Sequence, residues 1–169
     1  EVEKAMQSGA FGLSSGLLYA PGSFAPAEEV IELARVAGQY GGIYISHLRN
    51  EAQGLLESVE ETSRIAEAAG LLAQITHHKA MGAPMWGRSA DSLALVDAAN
   101  ARGLDVTSDQ YPYPASSTGL QAVFPKWSLG GGAAAIRSRI VDPEQRARVR
   151  DGIVYLPGHW RFFVLDWRD

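Results

Sequence analysis

The chain has 169 residues, with 15 Lys+Arg against 19 Asp+Glu, a formal net charge of -4 and no cysteine. Disulfides, thiolate zinc sites and cysteine nucleophiles are therefore excluded, and the mixed, mildly acidic charge argues against a nucleic-acid partner. No apolar run approaches the ~18 residues of a membrane helix, and Glu1-Val2-Glu3-Lys4 lacks the pattern of a signal peptide, so the expectation is a cytoplasmic enzyme or binding domain.

An opening helix is followed by a first strand candidate, Phe11 to Tyr19. The spacing of Val30, Leu33, Ala34 and Ala37 predicts a helix ending near Tyr40, with Pro26 and Glu28-Glu29 suited to its first turn and Gly41-Gly42 to its cap. Leu55, Val59, Thr62, Ala66 and Ala69 form one stripe of a second helix that Gly70 should stop. A third runs from Ser89 to Arg102, with Leu93, Val96 and Ala99 inward and Gly103 as its stop.

Each stop is followed by a short apolar run: Ile43-Tyr44-Ile45, Leu71 to Ile75, and Leu104 to Thr107. Such runs suit strands buried on both faces, and their alternation with helices predicts βαβ units in a parallel sheet. The pattern breaks at Tyr111-Pro112-Tyr113-Pro114. Gly130-Gly131-Gly132 reads as a flexible break, followed by a short helix from Pro143 to about Arg150 and an aromatic tail from Leu156 to Asp169.

Two of the strand ends nearly repeat. Ser46-His47-Leu48-Arg49 is matched 30 residues later by Thr76-His77-His78-Lys79, and Ser108-Asp109 follows one unit on. Barrels and doubly wound sheets bind ligands at the C-terminal ends of their strands. With neighbouring strands ~4.8 Å apart, two such imidazoles can reach one ion at the ~2.0–2.1 Å of a zinc–nitrogen bond. The alternative is a pair of buried histidines satisfied by backbone groups. His78 should face away from His77, and Asp109 and Glu51 are the nearest carboxylates to complete a site. Asp109 could equally cap a loop, and Arg49 could pair with Glu51.

The runs Gly9-Ala10-Phe11-Gly12-Leu13-Ser14-Ser15-Gly16-Leu17-Leu18-Tyr19 and Gly41-Gly42-Ile43-Tyr44-Ile45-Ser46-His47-Leu48-Arg49-Asn50-Glu51 resemble the N-acyl-D-amino-acid deacylases (D-aminoacylases) of the amidohydrolase superfamily. So do Thr76-His77-His78-Lys79, Trp86-Gly87-Arg88-Ser89, Asp109-Gln110-Tyr111-Pro112-Tyr113 and Ser116-Ser117-Thr118. The resemblance runs from about residue 1 to 150 and implies a zinc-dependent (β/α)₈ barrel that hydrolyses the amide of N-acyl-D-amino acids. It implies that His47 and His77 are zinc ligands, that Lys79 and Tyr111 hold the substrate's carboxylate or carbonyl, and that Tyr19 and Ser117 line the pocket.

A complete barrel typically needs ~250 residues. The expectation is therefore an α/β, partial (β/α)₈ barrel of about four βα units, roughly the fourth to seventh strands, over residues 1–118. Residues 119–169 would form a lid or insertion. The family's first-strand His-X-His, its second-strand ligand and its eighth-strand catalytic aspartate have no counterpart in this sequence, so no catalytic residue is assigned within the chain and the general-base aspartate is expected outside it. Open sheet edges would favour self-association. Two alternatives stand beside this reading: a non-catalytic fragment or half-assembly, and a cyclic amide or imide hydrolase of the same superfamily.

Overall fold

The structure is a computed structural model and describes residues 1–113 and 116–153. After a short helix α1 (Val2–Gln7), the chain alternates β1 (Gly12–Gly16), α2 (Ala27–Gln39), β2 (Ile43–His47), α3 (Leu55–Ala69), β3 (Ala73–Ile75), α4 (Ser89–Ala101) and β4 (Val106–Ser108). The four strands form one sheet in chain order, every neighbouring pair parallel. This is the expected α/β architecture, a run of successive βα units as in part of a (β/α)₈ barrel.

Glycines end the helices where the sequence places them. Gly70 takes φ +64° and donates its N–H to the Ala66 carbonyl, closing α3, while Gly41 at φ +68° closes the turn after α2. The buried stripes differ in detail from the predicted ones. In α2, Val30, Ile31, Ala34 and Ala37 are buried, whereas Leu33 is 40% exposed on the flank. In α4 the inward line runs through Ser92, Val96 and Ala99, and Leu93, expected inward, is 44% exposed. One residue is ~100° of helix rotation, enough to carry Leu93 off the packed face when its neighbour Ser92 is drawn inward by a buried hydrogen bond.

The strands are shorter than their apolar runs. Phe11 and Leu17 to Tyr19 lie outside β1, and Phe11 is 90% exposed. Only the central strands are enclosed: Tyr44, Ser46, Ala73 and Ile75 are fully buried, whereas β4 is buried at Val106 alone. The core groups Tyr44, Leu48, Leu55, Val59, Ile65 and Ile75 between the sheet and the helices. The Tyr44 hydroxyl is satisfied at 2.6 Å by Ser15 Oγ, which joins β1 to β2 inside this core.

The segment after β4 departs from the sequence reading. Gly130-Gly131-Gly132 leads from a 3-10 turn (Lys126–Ser128) into an unpredicted helix, α5 (Gly132–Val141), with Gly131 and Gly132 at positive φ. The predicted helix follows as α6 (Pro143–Gly152), with Asp142 accepting the Gln145 N–H at 2.7 Å and proline in its first turn. The aromatic tail, with His159, lies outside the described residues.

Candidate active site

The C-terminal ends of the four strands open on one side, and the singled-out residues gather there. His47 is the last residue of β2, and His77 lies two residues past β3. Their rings meet edge to face, centroids 4.4 Å apart, although the register, with Ser46 opposite Ile75, sets His77 one residue beyond the level of His47. Glu51 enters from the loop after β2. Its Oε1 lies 3.5 Å from His47 Nδ1, 3.1 Å from His77 Nδ1 and 2.6 Å from Lys79 Nζ. Its side chain is only 5% exposed, so this carboxylate is spent on the cluster rather than on solvent.

Two observations suit these residues to a cation. His47, Glu51 and His77 each present one donor atom, and these lie within 4.8 Å of one another. The Glu51–histidine separations match the roughly 3.3 Å edge of a tetrahedron with ~2.0–2.1 Å bonds. In addition, both ring nitrogens of His47 are buried without a hydrogen-bond partner. Burial, aided by the charges of His77 and Lys79, lowers the His47 pKa from 6.5 to about 4. Its imidazole is therefore neutral at neutral pH, the form that ligates metal.

His77 owes its place to Asp109. It is the one non-glycine residue at positive φ among those described, +42°, and its N–H donates to Asp109 Oδ1 at 2.6 Å. Gln74 Nε2 donates to the other Asp109 oxygen, and the Asp109 carbonyl takes the His78 N–H at 2.8 Å. Asp109 thus fastens the end of β3 to the end of β4 and stands outside the donor cluster. His78 turns away, as the alternation predicts, and pairs its Nε2 with Ser92 Oγ of α4 at 2.9 Å. Burial, first, and the Lys79 charge lower its pKa.

The remaining predicted residues ring the same cavity, about 430 Å³ in volume. Tyr19 stacks on His47 at 4.9 Å and pairs its hydroxyl with Thr118 Oγ1 at 2.7 Å. The Tyr111 ring lies 5.5 Å beneath Lys79 Nζ and 6.5 Å from the His77 ring. Burial raises the Tyr111 pKa against the effect of its Ser116 hydrogen bond, so the phenol keeps its proton. Ser117 lines the cavity with an exposed side chain.

Two arrangements escape the sequence reading. Arg49 does not pair with Glu51: it grips Glu61 of α3 with Nε at 2.9 Å and Nη2 at 2.8 Å, and reaches the Ser23 and Ala25 carbonyls at 3.2 and 3.0 Å. Val123, Phe124 and Leu129 beyond β4, residues that carry no motif, line the same cavity.

No protein-family model matches the chain. It is 46% identical over 119 residues to a D-aminoacylase of Alcaligenes xylosoxydans xylosoxydans, a match covering 70% of this chain and 24% of that protein. A D-aminoacylase crystal structure described as defining a novel subset of amidohydrolases superposes with TM-score 0.66 at 43% identity, over 69% of this chain and 24% of the other. An N-acyl-D-glutamate deacylase from Bordetella bronchiseptica superposes with TM-score 0.67 at 44% identity, over 69% of this chain and 25% of its own. That protein is complexed with zinc and a phosphonate mimic of the tetrahedral intermediate. Over about 70% of its length the chain is similar to N-acyl-D-amino-acid deacylases. It spans about a quarter of the length of the relatives it matches, and the matched deacylase structure carries zinc within the same fold.

Proposed function

We propose that this chain carries the metal-ligand and carboxylate-binding part of a zinc-dependent N-acyl-D-amino-acid deacylase site. The observation that carries the reading is the buried, unpartnered imidazole of His47 set edge to face against His77 beside Glu51. His47 and His77 would hold the ion, and Glu51 is the carboxylate within reach. When bound, zinc supplies Lewis acidity toward an acyl carbonyl and lowers the pKa of water.

The other roles fall to the chain's own groups. Lys79 supplies the positive charge that a free amino-acid carboxylate needs at the cavity wall. Tyr111, protonated at neutral pH, can donate a hydrogen bond to a carboxylate or carbonyl oxygen. Tyr19 holds the His47 ring in one orientation by stacking and, with Ser117, bounds the cavity. Residues 1–118 would be the barrel part and 119–169 a lid, a division supported by Val123, Phe124 and Leu129 lining the same cavity as His47 and His77. The lack of cysteine and the mixed charge support a cytoplasmic setting.

Metal analysis of the purified chain is the test. The unaltered chain should hold zinc, and His47→Ala and His77→Ala should lose it. Unchanged zinc in the double variant would refute the site. Release of free amine from N-acetyl-D-amino acids, absent for the L-isomers, would establish deacylation. Zinc binding without turnover would confine the chain to metal binding.

A further inference from the structure

One buried leucine lies at the cavity rather than in the main core. Leu129 is 9% exposed and lines the cavity with Met81, Val123 and Phe124, yet it stands outside the core packed between the sheet and the helices. Three glycines follow it, Gly130 to Gly132, and such backbone sets no direction for a side chain by itself. The direction comes from α5. Arg139 Nη1 donates to the Ser128 carbonyl at 2.8 Å and to the Gly130 carbonyl at 2.6 Å, so one guanidinium holds the backbone on both sides of Leu129. The turn before it is closed by Ser128 Oγ, which donates to the Pro125 carbonyl at 2.7 Å, and Arg148 of α6 lies over the Trp127 ring at 4.8 Å. None of these contacts involves His47, Glu51 or His77.

We propose that Leu129 is a specificity-determining residue and Arg139 the positioning residue that aims it: together they select a substrate that carries an alkyl group, on its D-side chain or its acyl tail. The proposal rests on the deacylase reading above and deepens it by naming the substrate class. An N-acyl amino acid brings a carboxylate, an amide carbonyl and its alkyl groups to the cavity. Lys79 and Tyr111 meet the first and the strand ends the second, which leaves the apolar lining for the third. An acidic side chain finds less there. Arg49 is already engaged by Glu61, and Lys126, which lines the same cavity, is exposed, so its charge stays solvated. An alkyl group set against Leu129 removes apolar area of both partners from water.

The test is calorimetric titration with N-acetylglycine, N-acetyl-D-leucine, N-hexanoylglycine and N-acetyl-D-glutamate, and it needs no turnover. The unaltered chain should bind an alkyl-bearing ligand on the order of tenfold more tightly than N-acetylglycine, and the ligand that gains tells side chain from acyl tail. Leu129→Ala and Arg139→Met should each remove most of that gain, the double variant no more than either alone, while N-acetylglycine affinity stays within about twofold. Arg139→Lys, which can still donate to the carbonyls, should keep most of it. An unchanged gain in either variant, an equal loss of affinity for every ligand in Arg139→Met, or N-acetyl-D-glutamate as the tightest ligand would overturn the proposal and leave the deacylase reading standing. If the unaltered chain binds none of the four, that reading falls and the proposal with it. Should Arg139→Met fail to fold, methyl-labelled leucine spectra of the unaltered chain decide. The Leu129 methyl resonances should shift with the alkyl-bearing ligand and not with N-acetylglycine, and resonances that stay put overturn the proposal.

Discussion

At the scale of single residues, the site is held by groups that touch neither ligand nor metal. Asp109 keeps His77 in its left-handed backbone conformation by accepting its N–H. Asp109→Ala removes that acceptor, and zinc affinity should drop about tenfold in chelator competition, as for other groups that orient ligands. Asp109→Asn keeps an accepting oxygen and should lose much less. Arg49 acts likewise on the Tyr19 side, tying the loop after β1 to α3 through Glu61 and two carbonyls. Arg49→Met leaves the Glu61 side chain, 13% exposed, without its partner and should cost about 3 kcal/mol by chemical denaturation. Arg49→Lys keeps the charge but not the fork and should fall between the two. The paired histidines were legible because their 30-residue spacing equals one βα period. The Arg49 partner was not, since sequence neighbours such as Glu51 cannot reveal which helix packs above a strand end.

At the scale of elements, helix contact depends on places where a side chain would not fit. A Cβ at Gly38 would stand 2.5 Å from the Ala69 carbonyl oxygen, where α2 passes close to the end of α3. Gly38→Ala should therefore destabilise the chain by about 1–3 kcal/mol despite alanine's better helix propensity, measured as a lowered denaturation midpoint. Ile65 is fully buried on the α3 face, and Ile65→Ala should cost about 2–5 kcal/mol by the same measurement. Helix ends were legible from Gly41, Gly70 and Gly103, because positive φ is a local demand that glycine meets. The exact buried stripe of α4 was not. Ser92 faces inward to reach His78, and that preference comes from another element.

At the scale of the whole molecule, the four-stranded sheet leaves β1 and β4 each paired on one side only among the described residues. Unpaired backbone donors and acceptors along such edges recruit other strands. We expect the purified chain to self-associate, and light scattering that returns a monodisperse mass of 18.2 kDa would contradict this. A proline at Ser108 should shift the population toward monomer if that edge is the one used, because Asp105 and Asp109 bond toward β3 and the alternation sets the Ser108 N–H on the open side of β4.

The sequence by itself determined the alternation of strands and helices, their order, most helix stops and the placing of His47 and His77 at neighbouring strand ends. Each of these follows from local periodicity, glycine geometry and the fixed period of a βα unit, which are written into adjacent residues. Only the tertiary structure decided which groups meet across elements: Glu51 with both histidines and Lys79, Arg49 with Glu61, and Asp109 with the His77 backbone. Those contacts join segments far apart in the chain, and side-chain reach, burial and competition for one carboxylate select among partners that spacing alone leaves equal.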